Sequence, residues 1–270
     1  MASKETKAKG EEDFEVKINK IIDTFTKAEK LGKENSKKYK DWIKEISNPN
    51  FNLISNLLNY FLDELTSTNM RENIFKIIRK LYHLNKSVVE PQINSNKDFG
   101  KAIVVHINTG DKSKISDNCF YLLTKLFNKK SFESVIDESF ILALFEGLSI
   151  VGEEDILNDI VVILIEINYT YNNPEENLFL KVHKENENAR VLNEILLRVL
   201  NNEHDDDMKI KILKCLDRVT KYNEYYGEMY KVDEITELME DFETSEEQPE
   251  EIRTICKQIV TNITDRQGKK

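Results

Sequence analysis

Apolar residues recur along this chain at intervals of three and four, segment after segment, and little interrupts them. That spacing lays them along one stripe of an α-helix, whereas a half-buried strand needs strict alternation. Phe14, Ile18, Ile21, Ile22 and Phe25 predict a first helix ending near Gly32, and Tyr39, Trp42, Ile43 and Ile46 a second one stopped by Asn48-Pro49. Leu53, Leu57, Leu58, Phe61, Leu62 and Leu65 form a third, before a break and cap at Ser67-Thr68-Asn69, and Ile74, Ile77, Ile78, Leu81 and Tyr82 a fourth. Only 8 Gly and 4 Pro occur in 270 residues, where an average chain carries about 12% of the two together. Scarce breakers mean long regular elements, and no strand pattern emerges.

The signal weakens between Val88 and Ser116, where Pro91, an Asn/Ser run, Gly100 and Thr109-Gly110-Asp111 surround one apolar piece, Ala102 to Ile107. An irregular connection is expected there. From Ser116 onward, helices are expected over about 116–128, 132–149, 154–171, 175–184, 188–201, 206–221, 231–242 and 247–263. Several starts carry capping residues: Ser131 with Ser134, Glu153 to Asp155, Asn173-Pro174, Asp205 to Asp207, and Ser245 with Gln248. The helices are many and short, with no sustained heptads, and Phe140 to Leu144 and Ile156 to Ile167 are apolar nearly all round. Stacked hairpins fit both features, so the expected fold is all-α, an armadillo/HEAT-like α-solenoid spanning residues 14–264 as one domain, with frayed tails at 1–13 and 265–270.

Charge and hydropathy narrow the function classes. With a mean hydropathy of −0.52 and a longest apolar run of six residues, Ile160 to Ile165, nothing in the chain reaches the roughly 18 residues of a membrane span. The amino-terminal stretch, rich in Lys and Glu, lacks the apolar core of a secretory signal, which argues for a cytoplasmic protein. Residues 1–132 carry 24 Lys and Arg against 17 Asp and Glu, and residues 133–270 carry 15 against 32. The halves are thus +7 and −17; so acidic a second half repels phosphate backbones and argues against nucleic acid as a partner.

Chemistry-bearing motifs are sparse. Nucleotide-binding glycine loops, the GxSxG elbow, HExxH and EF-hand patterns are all missing from the sequence. Cys119, Cys215 and Cys256 stand apart among apolar neighbours, reading as reduced, buried thiols and not as a zinc site. His204 precedes Asp205-Asp206-Asp207, a set that could offer metal ligands, but acidic residues ahead of an apolar helical stripe are what a helix amino terminus favours. No metal or cofactor is therefore expected, and no catalytic residue is nominated. Tyr222, Tyr225, Tyr226 and Tyr230 cluster around Gly227 in an expected loop, either as packing at a solenoid's end or as partner contacts.

In the second half the run from Asn158 to Asn168 ends a leucine- and isoleucine-rich helix in Asn. It is followed by Asn177-Leu178-Phe179-Leu180, then by Leu192 to Asn202, Met229 to Leu238, and Glu251 to Lys257. In order and spacing these resemble the leucine-rich domain of the WISH/DIP/SPIN family of armadillo-repeat Arp2/3 complex activators. The likeness covers residues 150–262 and lacks that family's SH3 and proline-rich regions. Of the family's Y-T-N-D turn, Tyr230 and Asp233 stand here. The resemblance implies a non-enzymatic regulator of the actin cytoskeleton at the cell cortex. It would bind the Arp2/3 complex, with a partner helix held in the solenoid groove, and let it nucleate linear filaments without a preformed filament, touching actin only indirectly. The partner-binding positions it implies are Tyr230 and Asp233, with Asn168, Glu194 and Asn201 behind them. The rival expectation is a generic armadillo/HEAT scaffold for protein–protein interaction.

Overall fold

A computed structural model describes residues 2–63, 66–126, 136–170, 177–202, 205–222 and 232–267. Every regular element among them is helical: α1 (Ala2–Lys30), α2 (Lys37–Ser47), α3 (Leu53–Leu62), α4 (Thr68–Asn94), α5 (Lys97–Thr109), α6 (Asp117–Leu126), α7 (Glu138–Ile150), α8 (Glu154–Thr170), α9 (Leu178–Glu185), α10 (Ala189–Asn202), α11 (Asp206–Tyr222), α12 (Val232–Thr244) and α13 (Glu250–Gln267), with single 3-10 turns at Pro49–Phe51 and Lys112–Lys114. The all-α expectation holds. Two compact units divide the chain, Met1–Val135 and Ile136–Lys270.

Local chemistry sets the element ends. Gly32, at φ 59°, closes α1 with its N–H on Glu29 and the Lys33 N–H on Ala28, a left-handed stop that costs glycine little. Ser36, Ser67, Asp137 and Asn177 each accept a backbone N–H at the start of α2, α4, α7 and α9. Asp205 does the same for Asp207 ahead of α11, which is the cap reading of the acidic run. Asn173-Pro174, Ser131, Ser134 and His204 lie outside the described residues.

Two stretches differ from expectation. Residues 2–13, set apart as a frayed tail, continue α1, because Ala, Lys and Glu are strong helix formers; likewise residues 265–267 continue α13. The expected irregular connection between Val88 and Ser116 is largely helical, forming the end of α4 and all of α5. Contacts with Ser47 of α2 hold this part of α4. Asn85 leaves helical geometry (φ −150°, ψ 54°) and kinks α4, and its Nδ2 donates to the buried Ser47 Oγ at 2.7 Å. Two turns beyond, Gln92 Nε2 donates to the Ser47 carbonyl at 3.0 Å. Asn96 then caps α5 through the Asp98 N–H.

In the first unit α4 is the common packing partner of α1, α2, α3 and α6. Its core gathers Phe61, Phe75, Phe99 and His106 as edge and tilted ring pairs, with Phe61 and Phe75 4.8 Å apart. In the second unit α8 packs against α7, α9, α10 and α11, and α13 against both α11 and α12. Phe140, Phe145, Phe179, Leu164, Leu216 and Ile259 there are fully buried.

Candidate functional site

The positions nominated from the sequence fall into three situations. Asn168, in the last turn of α8, is 1% exposed. Its side-chain oxygen accepts from Asn177 Nδ2 at 2.9 Å, and its carbonyl accepts from Arg218 Nη1. Asn177 Oδ1 in turn caps α9 through the Leu180 N–H at 3.2 Å. Burial pushes the Cys215 thiol up to about 12 against the opposing pull of a hydrogen bond from Asn168 and the Arg218 charge. Asn168 thus ties the ends of α8, α9 and α11 together from inside. Glu194 and Asn201 are exposed on α10, and Glu194 pairs with Arg190 one turn away at 3.0 Å. Asp233 is exposed in the first turn of α12. Tyr230, with Tyr225, Tyr226 and Gly227, lies outside the described residues, while Tyr222 is exposed beneath Lys221 Nζ, 5.3 Å from its ring centre. Among the described residues, the contacts of Asn168 are with Asn177, Arg218 and Cys215.

Buried polar clusters carry structure in both units. Glu72 on α4 accepts from Ser116 N and Oγ with one oxygen and meets His106 Nε2 at 2.8 Å with the other. Ser, Glu and His are all present, but the carboxylate stands between hydroxyl and imidazole, so no ring nitrogen is placed to take a proton from Ser116. The trio instead ties α4 to α5 and to the start of α6. His183 on α9 is fully buried beside the rings of Phe145 and Phe179, at 6.2 and 5.6 Å. Burial lowers its pKa to about 4. All three cysteines are buried and unbridged, and burial also pushes Cys256 up to about 12. Among the described residues no cluster of three His, Cys, Asp or Glu side chains could hold a metal ion, and no described helix is long and apolar enough to cross a membrane.

Among the described residues, an arrangement suited to receive a ligand lies in the first unit, which the sequence reading left without a role. A cavity of about 500 Å³ opens between α1, α2, the 3-10 turn and α3. Its floor is Ile18 and Ile21 of α1, Ile46 of α2 and Leu53 of α3, with Trp42 as one wall. Trp42 is held edge-on against Phe25, ring centres 5.6 Å apart. The turn that follows α2 builds the other wall. Asn48 Oδ1 accepts the Asn50 N–H, Pro49 begins the 3-10 turn, and Asn52 adopts a left-handed backbone (φ 53°) that lets α3 start at once. The result leaves Phe51 52% exposed at the groove's edge. Lys17, Lys20 and Thr24 of α1 and Asn56 of α3 complete the lining among the described residues. The signal was legible in part: Asn48-Pro49 marked the break, but nothing local showed that Phe51 would point outward.

No family model, curated protein or solved structure matches this chain. The likeness of residues 150–262 to the WISH/DIP/SPIN family remains one of sequence motifs.

Proposed function

We propose that this chain is a non-enzymatic helical scaffold that docks another polypeptide, and that the groove between α1, α2 and α3 is a docking surface. The groove carries the reading: an open, largely apolar trough of about 500 Å³ beside an exposed Phe51 has the size of a ligand site but is not enclosed. An armadillo/HEAT-like stack is supported by the second unit's packing order. There α7 meets α8, α9 and α10, and α8 meets α9, α10 and α11, so these two helices each cover their next three neighbours as repeated helical layers do. Such a module works by binding one arrangement of a partner more tightly than another. A photo-cross-linking amino acid placed at Phe51 tests it. We expect cross-linking to a discrete polypeptide in cells, abolished by Ile21→Asp in a chain that keeps its helical circular dichroism. Cross-links that survive that substitution, or none at all, overturn the reading.

A narrower reading comes from the ordered motifs between residues 150 and 262: activation of the Arp2/3 complex. Its test is actin assembly with purified Arp2/3 complex and no preformed filament or WASP-type activator. A shortened lag supports it, and an unchanged lag without complex capture removes it. Asn168 does not serve it as a contact, since its amide is buried and engaged. Asp233, Glu194 and Asn201 are the exposed positions to substitute.

A further inference from the structure

We infer that the corner where α1 turns into α2 is a surface for anionic lipid, made of lysines around an exposed leucine. Residues 27–40 hold six Lys and two Glu, and Lys27, Lys30, Lys33, Lys37, Lys38 and Lys40 are all exposed. The rings of Phe25 and Tyr39, 6.5 Å apart, hold the end of α1 beside the start of α2, so these cations gather at one corner of the first unit. Both carboxylates, Glu29 and Glu34, are engaged by Lys80 Nζ of α4. Among the described residues none of the six lysines makes an ion pair. Exposed Asp23 and Asp41 stand at the edges, yet with Lys80 included the corner still has seven cations against four carboxylates. The acidic residues that end at Glu15 lie about 18 Å back along the α1 axis from Lys27, more than two Debye lengths at physiological salt.

Fold stability accounts for only some of these charges. Lys27 and Lys30 suit the carboxyl end of α1, but Lys37 and Lys38 open α2, whose first turn has no acid and whose dipole disfavours cations there. Leu31, 63% exposed at the apex beside Gly32, selects the class of partner. An apolar side chain among lysines enters the headgroup boundary of a bilayer while the ammonium groups meet lipid phosphates. Nucleic acid would call for arginine forks or a stacking ring, and residues 27–40 hold no Arg and one aromatic, the buried Tyr39. Protein interfaces, likewise, are depleted in Lys.

Co-sedimentation of the full chain with vesicles tests this. We expect binding to phosphatidylcholine vesicles that contain phosphatidylserine, weakening as salt rises, and none to phosphatidylcholine alone. The double substitution Lys37→Glu and Lys38→Glu should lower the affinity at least about tenfold. Lys76→Glu with Lys101→Glu makes the same change of net charge at exposed positions of α4 and α5 and should leave affinity within about twofold. Leu31→Gln should weaken binding by about threefold or more with its salt dependence intact. All five positions are exposed, and retained helical circular dichroism shows each variant folded. Failure to bind phosphatidylserine vesicles overturns the inference. Equal losses from the two double variants reduce the effect to net charge and overturn it too, as does unchanged affinity for Leu31→Gln. If vesicles fail while duplex DNA or polyglutamate binds and loses binding in Lys37→Glu with Lys38→Glu, the corner serves another class of polyanion and the lipid inference is wrong.

Discussion

His183 shows what burial does to a single titratable side chain. Its ring is fully buried, and its pKa falls from 6.5 to about 4 because the surroundings disfavour the imidazolium. A depressed histidine takes up its proton in the unfolded chain before the folded one. Stability is therefore untouched above pH 6.5 and declines as pH falls from about 6.5 towards 4, by about 3 kcal/mol in all. Chemical denaturation at a series of pH values checks it: His183→Phe should flatten that part of the profile, and an unchanged slope would contradict the assignment. The sequence showed His183 only as an isolated histidine. Its neighbours Phe145 and Asn193 come from other helices, which periodicity does not pair.

Among elements, the junctions made by polar side chains decide which helices meet. Glu72 joins α4 to α5 and to the α6 cap, so Glu72→Ala leaves the Ser116 N–H and the nearly buried His106 without their acceptor. We expect it to cost about 2–4 kcal/mol, with Glu72→Gln milder because its amide oxygen still accepts; equal denaturation midpoints for Glu72→Ala and wild type would refute this. Asn168 and Asn177 make the corresponding junction in the second unit. Asn177→Ala removes both the α9 cap and the donor to Asn168, and about 1–3 kcal/mol of stability should go with them. Glu194→Ala and Asn201→Ala, exposed on α10, should stay within about 0.5 kcal/mol, so thermal melts separate the structural Asn from the surface positions nominated beside it. Sequence periodicity located these helices to within a few residues where caps were strong, as at Ser67 and Asn177's neighbour Leu178. It failed across Val88 to Ser116, because a kink at Asn85 satisfied by Ser47 is a contact between residues 38 apart.

For the whole molecule, charge and architecture divide at one place. The unit ending at Val135 carries 24 Lys and Arg against 18 Asp and Glu, and the unit from Ile136 carries 15 against 31. Each has its own buried core, so we expect the fragments 1–135 and 136–270 to be helical when expressed separately. At neutral pH the first should bind a cation-exchange resin and the second an anion-exchange resin. A fragment lacking cooperative melting by circular dichroism would show that its core depends on the other unit.

By itself, the sequence determined that this protein is all-helical, nearly where most of the helices lie, which face of those is apolar, and that the charge is unequally shared. Those properties follow from spacing and composition, which act within a few residues along the chain. Only the tertiary structure decided that Asn168 is an internal tie and not a contact, that Glu72 separates Ser116 from His106, and that Phe51 stands at the lip of a lysine-lined groove. Each of those outcomes depends on which residues of distant helices meet, and helical periodicity tells which face is buried without telling what it is buried against.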